Sequence, residues 1–236
     1  MKLKDSTITK YIEMAKAALA WAISVLSSLH VGFSYGNTKI GKTLNVSLLP
    51  VLTCGGACRV CLHICYDIRA CLQYCDFRRG ALACRARNTA LAMYDRDRFF
   101  LEIQAKMNRR RINKLFRWHV GGDIIDLDYF SRMVELARNN PDWTFWGYTK
   151  QYYIVNEYVR THGGSKEAAI PRNLSIMFSE WKGLDCLNPY GFATFTCIMD
   201  GDEVPEDVYY CPGNCEQCIE DGRGCPYQES SAIKQH

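Results

Sequence analysis

LFRWHVGGD (115–123), LDYFSRMVELARN (127–139), WTFWGYTK (143–150), YYIVNEYVRT (152–161) and LSIMFS (174–179) alternate short aromatic and aliphatic runs with longer segments of helical period. Residues 115–120 read as a strand that ends in Gly121-Gly122-Asp123, and 127–139 as a helix stopped by Pro141. Residues 143–148 read as a strand, 152–161 as a helix, and 174–179 and 193–199 as further strands. Strands separated by helices of this length build βαβ units around a parallel sheet. The fold expected is therefore α/β: a parallel (β/α) barrel, a partial barrel or an open sheet. In such sheets chemistry collects at the C-terminal ends of the strands.

Upstream, residues 43–53 read as a strand rich in leucine and β-branched residues and broken by Pro50, and CGGACRVCLHIC (54–65) follows at once. Strand ends thus carry that cysteine run, His119 with the GGD turn, Tyr148-Thr149-Lys150, and Ser179-Glu180. Residues 85–113 read as one helix. Residues 6–30 read as another, capped by Ser6 or Thr7, with Ile8, Ile12, Ala15, Leu19, Ala22, Leu26 and Leu29 spaced as a heptad seam. Such a seam either docks on its own domain or pairs two copies as a homodimer, and the lack of flanking charge pairs favours docking. Three parts follow: a helical extension over 1–35, a barrel-like domain over 36–200, and a Cys-rich metal-binding segment over 201–236.

Thirteen cysteines stand in 236 residues, an odd number gathered mainly into two knots. Secreted disulfide frameworks use even counts in small domains, whereas cysteines three and four apart suit chelation. Cys54, Cys58, Cys61 and Cys65 form the first knot; Cys211, Cys215, Cys218 and Cys225 form the second. Three thiolates on a tight loop can hold three irons of a 4Fe-4S cluster and leave the fourth iron open. Four thiolates at the second knot fit either zinc, held tetrahedrally, or an auxiliary 4Fe-4S cluster. Cys71, Cys75 and Cys84 read as buried thiols or further ligands, and Cys186 and Cys197 as core.

The net charge of +4 is unevenly spread. Twelve Lys or Arg residues lie from Arg78 to Arg117, and acidic residues gather after Asp185. A basic stretch of this kind is a solvated helix face or a nucleic-acid contact. The run Arg109-Arg110-Arg111, with Lys114 and Arg117, is expected on the rim opposite the strand ends. The apolar run at 17–26 is too short to span a bilayer and lacks a clean signal-peptide pattern, so a cytoplasmic protein with no membrane contact is expected. His119 reads either as a satisfied half-buried histidine or as a group that orients a substrate. Gly121 and Gly122 allow close backbone approach. Asp123 accepts an ammonium group or caps the next helix, and Lys150 meets an anion or closes an ordinary turn.

The spacing C-x3-C-x2-C after a first strand, with GGD after the next clear one, resembles the signature of radical S-adenosylmethionine (SAM) enzymes. That resemblance implies a SAM-binding open iron, with Asp123 receiving the methionyl amine. GNTKIGK (36–42), SLLPVLTC (47–54), RWHVGGD (117–123), YTK (148–150) and the CPGNC tail resemble the phage-encoded gene product 88 family over roughly residues 35–225. This family is itself similar to radical SAM proteins, and its C-x6-C-x3-CY pattern implies Cys54, Cys61 and Cys65 as ligands, with Cys58 in reserve. The expected function is an iron-sulfur, radical SAM-like redox or radical enzyme in the cytoplasm of a bacteriophage's host. The alternative is a zinc- or cluster-stabilised binding protein without SAM chemistry that contacts nucleic acid. The substrate is not legible.

Overall fold

The computed structural model describes residues 2–36, 41–56, 59–73, 80–109, 113–199, 201–203 and 205–234. The chain forms two interleaved compact units. One comprises Met1–Phe33, Val46–Arg111 and His119–Ile125; the other comprises Ser34–Asn45, Ile112–Trp118 and Asp126–His236. The N-terminal helix thus belongs with the first cysteine knot, and the Cys-rich tail with the sheet.

The sheet unit is built on β1 (Leu44–Val46), which straddles the unit boundary, β2 (Leu115–Trp118), β3 (Thr144–Thr149), β4 (Leu174–Glu180), β5 (Thr194–Ile198), β6 (Tyr209–Tyr210) and β7 (Ser231–Lys234). Among the described residues these form one sheet of order β1-β2-β3-β4-β5-β7-β6, and every pairing from β2 onward is parallel. No pairing of β6 with β1 closes it into a barrel among the described residues. Helices α6 (Leu127–Arg138) and α7 (Tyr152–Thr161) supply the crossovers, as the alternation over 115–179 predicts, and the short α8 (Lys166–Ala169) before β4 adds to what it predicts.

The pleat sends alternate residues to opposite faces. Phe116, Trp118, Phe145 and Phe178 are buried on one face. There Trp118 meets Tyr129 of α6 with ring centres 6.4 Å apart, and Phe178 meets Tyr152 of α7 at 4.9 Å. Each such buried side chain contributes roughly 1.5–3 kcal/mol. Gly147 belongs to this face because a Cβ there would stand 3.0 Å from the Trp118 Cβ. Asn173 Nδ2 donates to the carbonyls of Ala137, Asn140 and Trp143, which satisfies backbone at the end of α6 and the entry to β3. The opposite face carries Trp146 and Met177 and is covered by the tail, with Cys225 in the same buried cluster.

The other unit packs α1 (Asp5–Ser24) on α4 (Ala81–Tyr94). Ala15, Ala18 and Ala22 of α1 are buried, as are Ala83, Ala86 and Ala90 of α4, and small side chains on both helices permit close approach. Helix α1 begins earlier than the sequence suggests, with Lys4 at its cap position and no side-chain cap from Ser6 or Thr7. Its buried stripe runs Ile8, Tyr11, Ala15, Ala18, Ala22; Ile12, Leu19 and Leu26 of the expected seam are half-buried. The single helix expected over 85–113 is two, α4 and α5 (Arg96–Asn108), broken at Asp95, whose φ of −148° and ψ of 57° leave the helical region. The strand expected over 43–53 is only the three residues of β1. Among the described residues no helix is long and apolar enough to cross a membrane.

Candidate metal centre

After β1 the backbone leaves the sheet, and long-range side chains satisfy its polar groups. Thr89 Oγ1 accepts the Leu49 N–H at 2.9 Å, and the Tyr11 hydroxyl donates to the Pro50 carbonyl at 2.9 Å. Val51 takes a left-handed φ of 71°, and the Cys54 N–H closes the turn on the Val51 carbonyl at 3.3 Å. That turn sets Cys54. Cys61 lies on α2 (Arg59–Ile64), and Cys65 sits at the junction with α3 (Tyr66–Gln73), where the backbone at Ile68 and Asp67 hydrogen-bonds its thiol.

The segment after β2 folds beside this loop. His119 N–H donates to the Val46 carbonyl at 3.1 Å, Leu48 N–H to the Gly121 carbonyl at 2.8 Å, and Asp123 N–H to Thr53 Oγ1 at 3.3 Å. The close approach that Gly121 and Gly122 allow is used by the chain itself. A Cβ on Gly121 would run into the Asp67 carboxylate, and one on Gly122, at φ +86°, would stand 2.7 Å from the Leu48 Cβ. Asp123 Oδ1 accepts the N–H of Ile124 at 2.7 Å rather than capping α6. Asp126 is that cap, accepting from the Tyr129 N–H at 2.8 Å.

Electrostatics tie these groups together. Burial, then the Asp123 carboxylate, push the Cys54 thiol well above its ordinary pKa, and Cys61 and Cys65 add to the rise. Burial pushes Cys65 up to about 11 against its backbone hydrogen bonds, and Cys71 up to about 12. Beneath them Asp67, 2% exposed, pairs with Arg85 through both carboxylate oxygens. Burial alone would lower the Arg85 pKa, but the Asp67 charge and hydrogen bonds carry it above the ordinary value. His119 is buried, and desolvation lowers it to about 3, so it is a neutral imidazole at physiological pH.

The structure therefore brings Cys54, Cys61, Cys65, His119, Gly121, Gly122 and Asp123 into one unit. Cys58 and Cys75 lie outside the described residues. Lys150 belongs to the sheet unit, with its ammonium 5.1 Å from the Trp181 ring centre. Tyr11, Asp67 and Arg85 are neighbours of the thiols that spacing alone could not reveal, because the fold brings them in from three helices.

The second knot lies in the sheet unit. Cys211 precedes α9 (Cys215–Glu220), which Asn214 caps by accepting the Glu216 N–H at 3.0 Å. Arg117, expected on the far rim, instead lies 4.9 Å over the Tyr148 ring and hydrogen-bonds Cys215. The reason is the strand period, which turns Arg117 to the face covered by the tail. Arg110 and Arg111 of the basic run lie outside the described residues. Cys186 and Cys197, expected in the core, are half-buried.

None of the described cysteines forms a disulfide. No three His, Cys, Asp or Glu side chains among the described residues stand close enough to hold a metal as they are. The donor chemistry nonetheless fits a thiophilic centre. Buried thiols with raised pKa values are protonated until a metal displaces the protons.

A parallel α/β sheet and a helical unit that carries half-buried Cys54, Cys61 and Cys65 define a cysteine-rich α/β protein. More specifically, the chain belongs to the gene product 88 family, whose model matches residues 13–185. The match includes most of α1 and ends before the second knot, a different span from the 35–225 that the sequence motifs suggest. No curated protein and no solved structure matches the chain.

Proposed function

We propose that this protein holds a 4Fe-4S cluster on Cys54, Cys61 and Cys65 and is a radical SAM-like redox or radical enzyme. The carrying observation is the strap of residues 119–123, hydrogen-bonded to residues 46–53 that lead into Cys54, so that the Asp123 carboxylate raises the Cys54 pKa. Three thiolates leave one iron open, and a bound cluster of this kind supplies an electron for reductive cleavage of SAM. Asp123 accepts the methionyl ammonium group, and neutral His119 orients the strap without adding charge.

Anaerobic purification followed by iron, sulfide and zinc quantification tests the reading. Four irons with matching sulfide, lost in Cys54→Ser, support it. Reduced protein mixed with SAM should then yield 5′-deoxyadenosine. Colourless protein with stoichiometric zinc at these thiols would replace it with the zinc-stabilised binding protein, whose basic stretch contacts nucleic acid. Iron without SAM cleavage would leave a cluster protein of another redox class.

A further inference from the structure

The tail lies beyond the family match, so its four cysteines need an explanation from their own surroundings. Their spacing is C-x3-C-x2-C-x6-C. Cys211-Pro212-Gly213 makes a tight knuckle in which Gly213, at φ +75°, donates its N–H to Cys211 Sγ at 3.4 Å. Helix α9 then sets Cys215 and Cys218 on one face, three residues apart. Gly224, also at φ +75°, brings the next turn in so tightly that a Cβ there would stand 3.5 Å from Cys218 Sγ. Cys225 follows it directly and is buried with Trp146 and Met177; Cys215 packs against the same cluster.

Hydrogen-bond partners for the sulfurs come from across this unit. Cys215 has the guanidinium of Arg117. Cys225 has the hydroxyl of Tyr148, and Cys218 Sγ stands 3.9 Å from the Tyr209 hydroxyl. Donors to sulfur form the outer layer that orients thiolate ligands and tempers their charge.

We propose that Cys211, Cys215, Cys218 and Cys225 form a closed tetrathiolate zinc site that clasps the tail to the sheet. Zinc accepts four thiolates tetrahedrally and is redox-inert, which suits a structural site. The four thiolates leave the ion no open position, and Arg117 offsets part of the resulting negative charge. Because the sulfurs do not yet stand at coordinating distance, loading draws them together and tightens residues 211–225. This inference is independent of the cluster proposed at Cys54, Cys61 and Cys65.

Metal analysis of the full chain and of the double variant Cys215→Ser/Cys218→Ser tests it. The expected result is loss of one zinc per chain in the variant with iron unchanged, while Cys186→Ser keeps its zinc. Unchanged zinc in the double variant, or loss of iron and sulfide instead, overturns it. If the double variant fails to fold, wild-type protein stripped by a chelator and titrated with cobalt(II) decides. A tetrahedral thiolate spectrum at one equivalent, together with restored resistance of the tail to protease, supports the clasp; neither appearing overturns it.

Discussion

The two cysteine groups share a ligand type and differ in what surrounds it. Around Cys54, Cys61 and Cys65 stand two carboxylates, Asp67 and Asp123, and Arg85, the cation that acts on neighbouring Cys71, is already committed to Asp67. Around the tail cysteines stand Arg117, Tyr148 and Tyr209, all able to donate to sulfur. Thiolates of the first group therefore meet backbone hydrogen bonds and carboxylates, and depend mainly on the bound group to offset their charge. Those of the second meet an outer layer that the protein provides. The first pattern suits a centre whose charge and ligands change during a reaction, and the second suits a permanent clasp.

The largest effect should come from breaking the ion pair under the first group. Arg85→Met leaves the buried Asp67 carboxylate without its partner, which costs about 3–5 kcal/mol in such settings, although protonation of Asp67 limits the loss. Chemical denaturation should show this as a fall in the unfolding midpoint. Asp67→Leu/Arg85→Met should recover much of it. A double variant no more stable than the single would show that the pair acts through something other than its charge.

Acid should find the same unit next. His119 has a folded pKa of about 3 and an unfolded value near 6.5. Above pH 6.5 neither state holds the proton and the group contributes no pH dependence. As pH falls from 6.5 toward 3, the unfolded chain takes up a proton that the folded chain refuses, so stability drops by about 1.4 kcal/mol per pH unit from this group. Between pH 6.5 and 4.5 the loss is on the order of 2 kcal/mol. His119→Asn, which keeps a residue tolerant of the φ of +50°, should flatten that part of the stability profile; an unchanged slope would place the titration elsewhere.

Legibility in the sequence followed the range of the interactions. Helix α7 matches the expected 152–161, and β3 and α6 match to within a residue or so, because local period and Pro141 decide them. The break at Asp95 was hidden because both flanks are good helix formers. β1 is short because Thr89, Tyr11 and Gly121 replace ladder partners for the residues that follow it, and none of these is near in sequence. Strands β6 and β7 are two and four residues long, and β7 inserts between β5 and β6, an order no local pattern encodes. Cysteine spacing is what singles out both groups in the sequence, whereas the charges around them arrive from distant elements.

Tyr148→Phe sharpens the contrast at the second group. It keeps the ring that stacks under Arg117 and meets Phe195 at 4.8 Å, and removes only the hydroxyl offered to Cys225. Outer-layer changes of this kind cost on the order of 10–100-fold in metal affinity. Competition against a calibrated chelator should show that loss for tail zinc, with iron at the first group unchanged. Equal weakening of both metals would mean that the two groups are not independently built.

The smallest effect concerns Lys150, which the sequence groups with the strand-end site. Its ammonium lies 5.1 Å from the Trp181 ring centre, a cation–π contact worth about 0.5–1 kcal/mol where water reaches it. Lys150→Met keeps the aliphatic stem and removes the charge, so unfolding should shift by no more than that amount. A purely structural lysine leaves iron content and SAM affinity as they were. A several-fold loss of SAM affinity with the unfolding midpoint preserved would instead make Lys150 a ligand-binding residue.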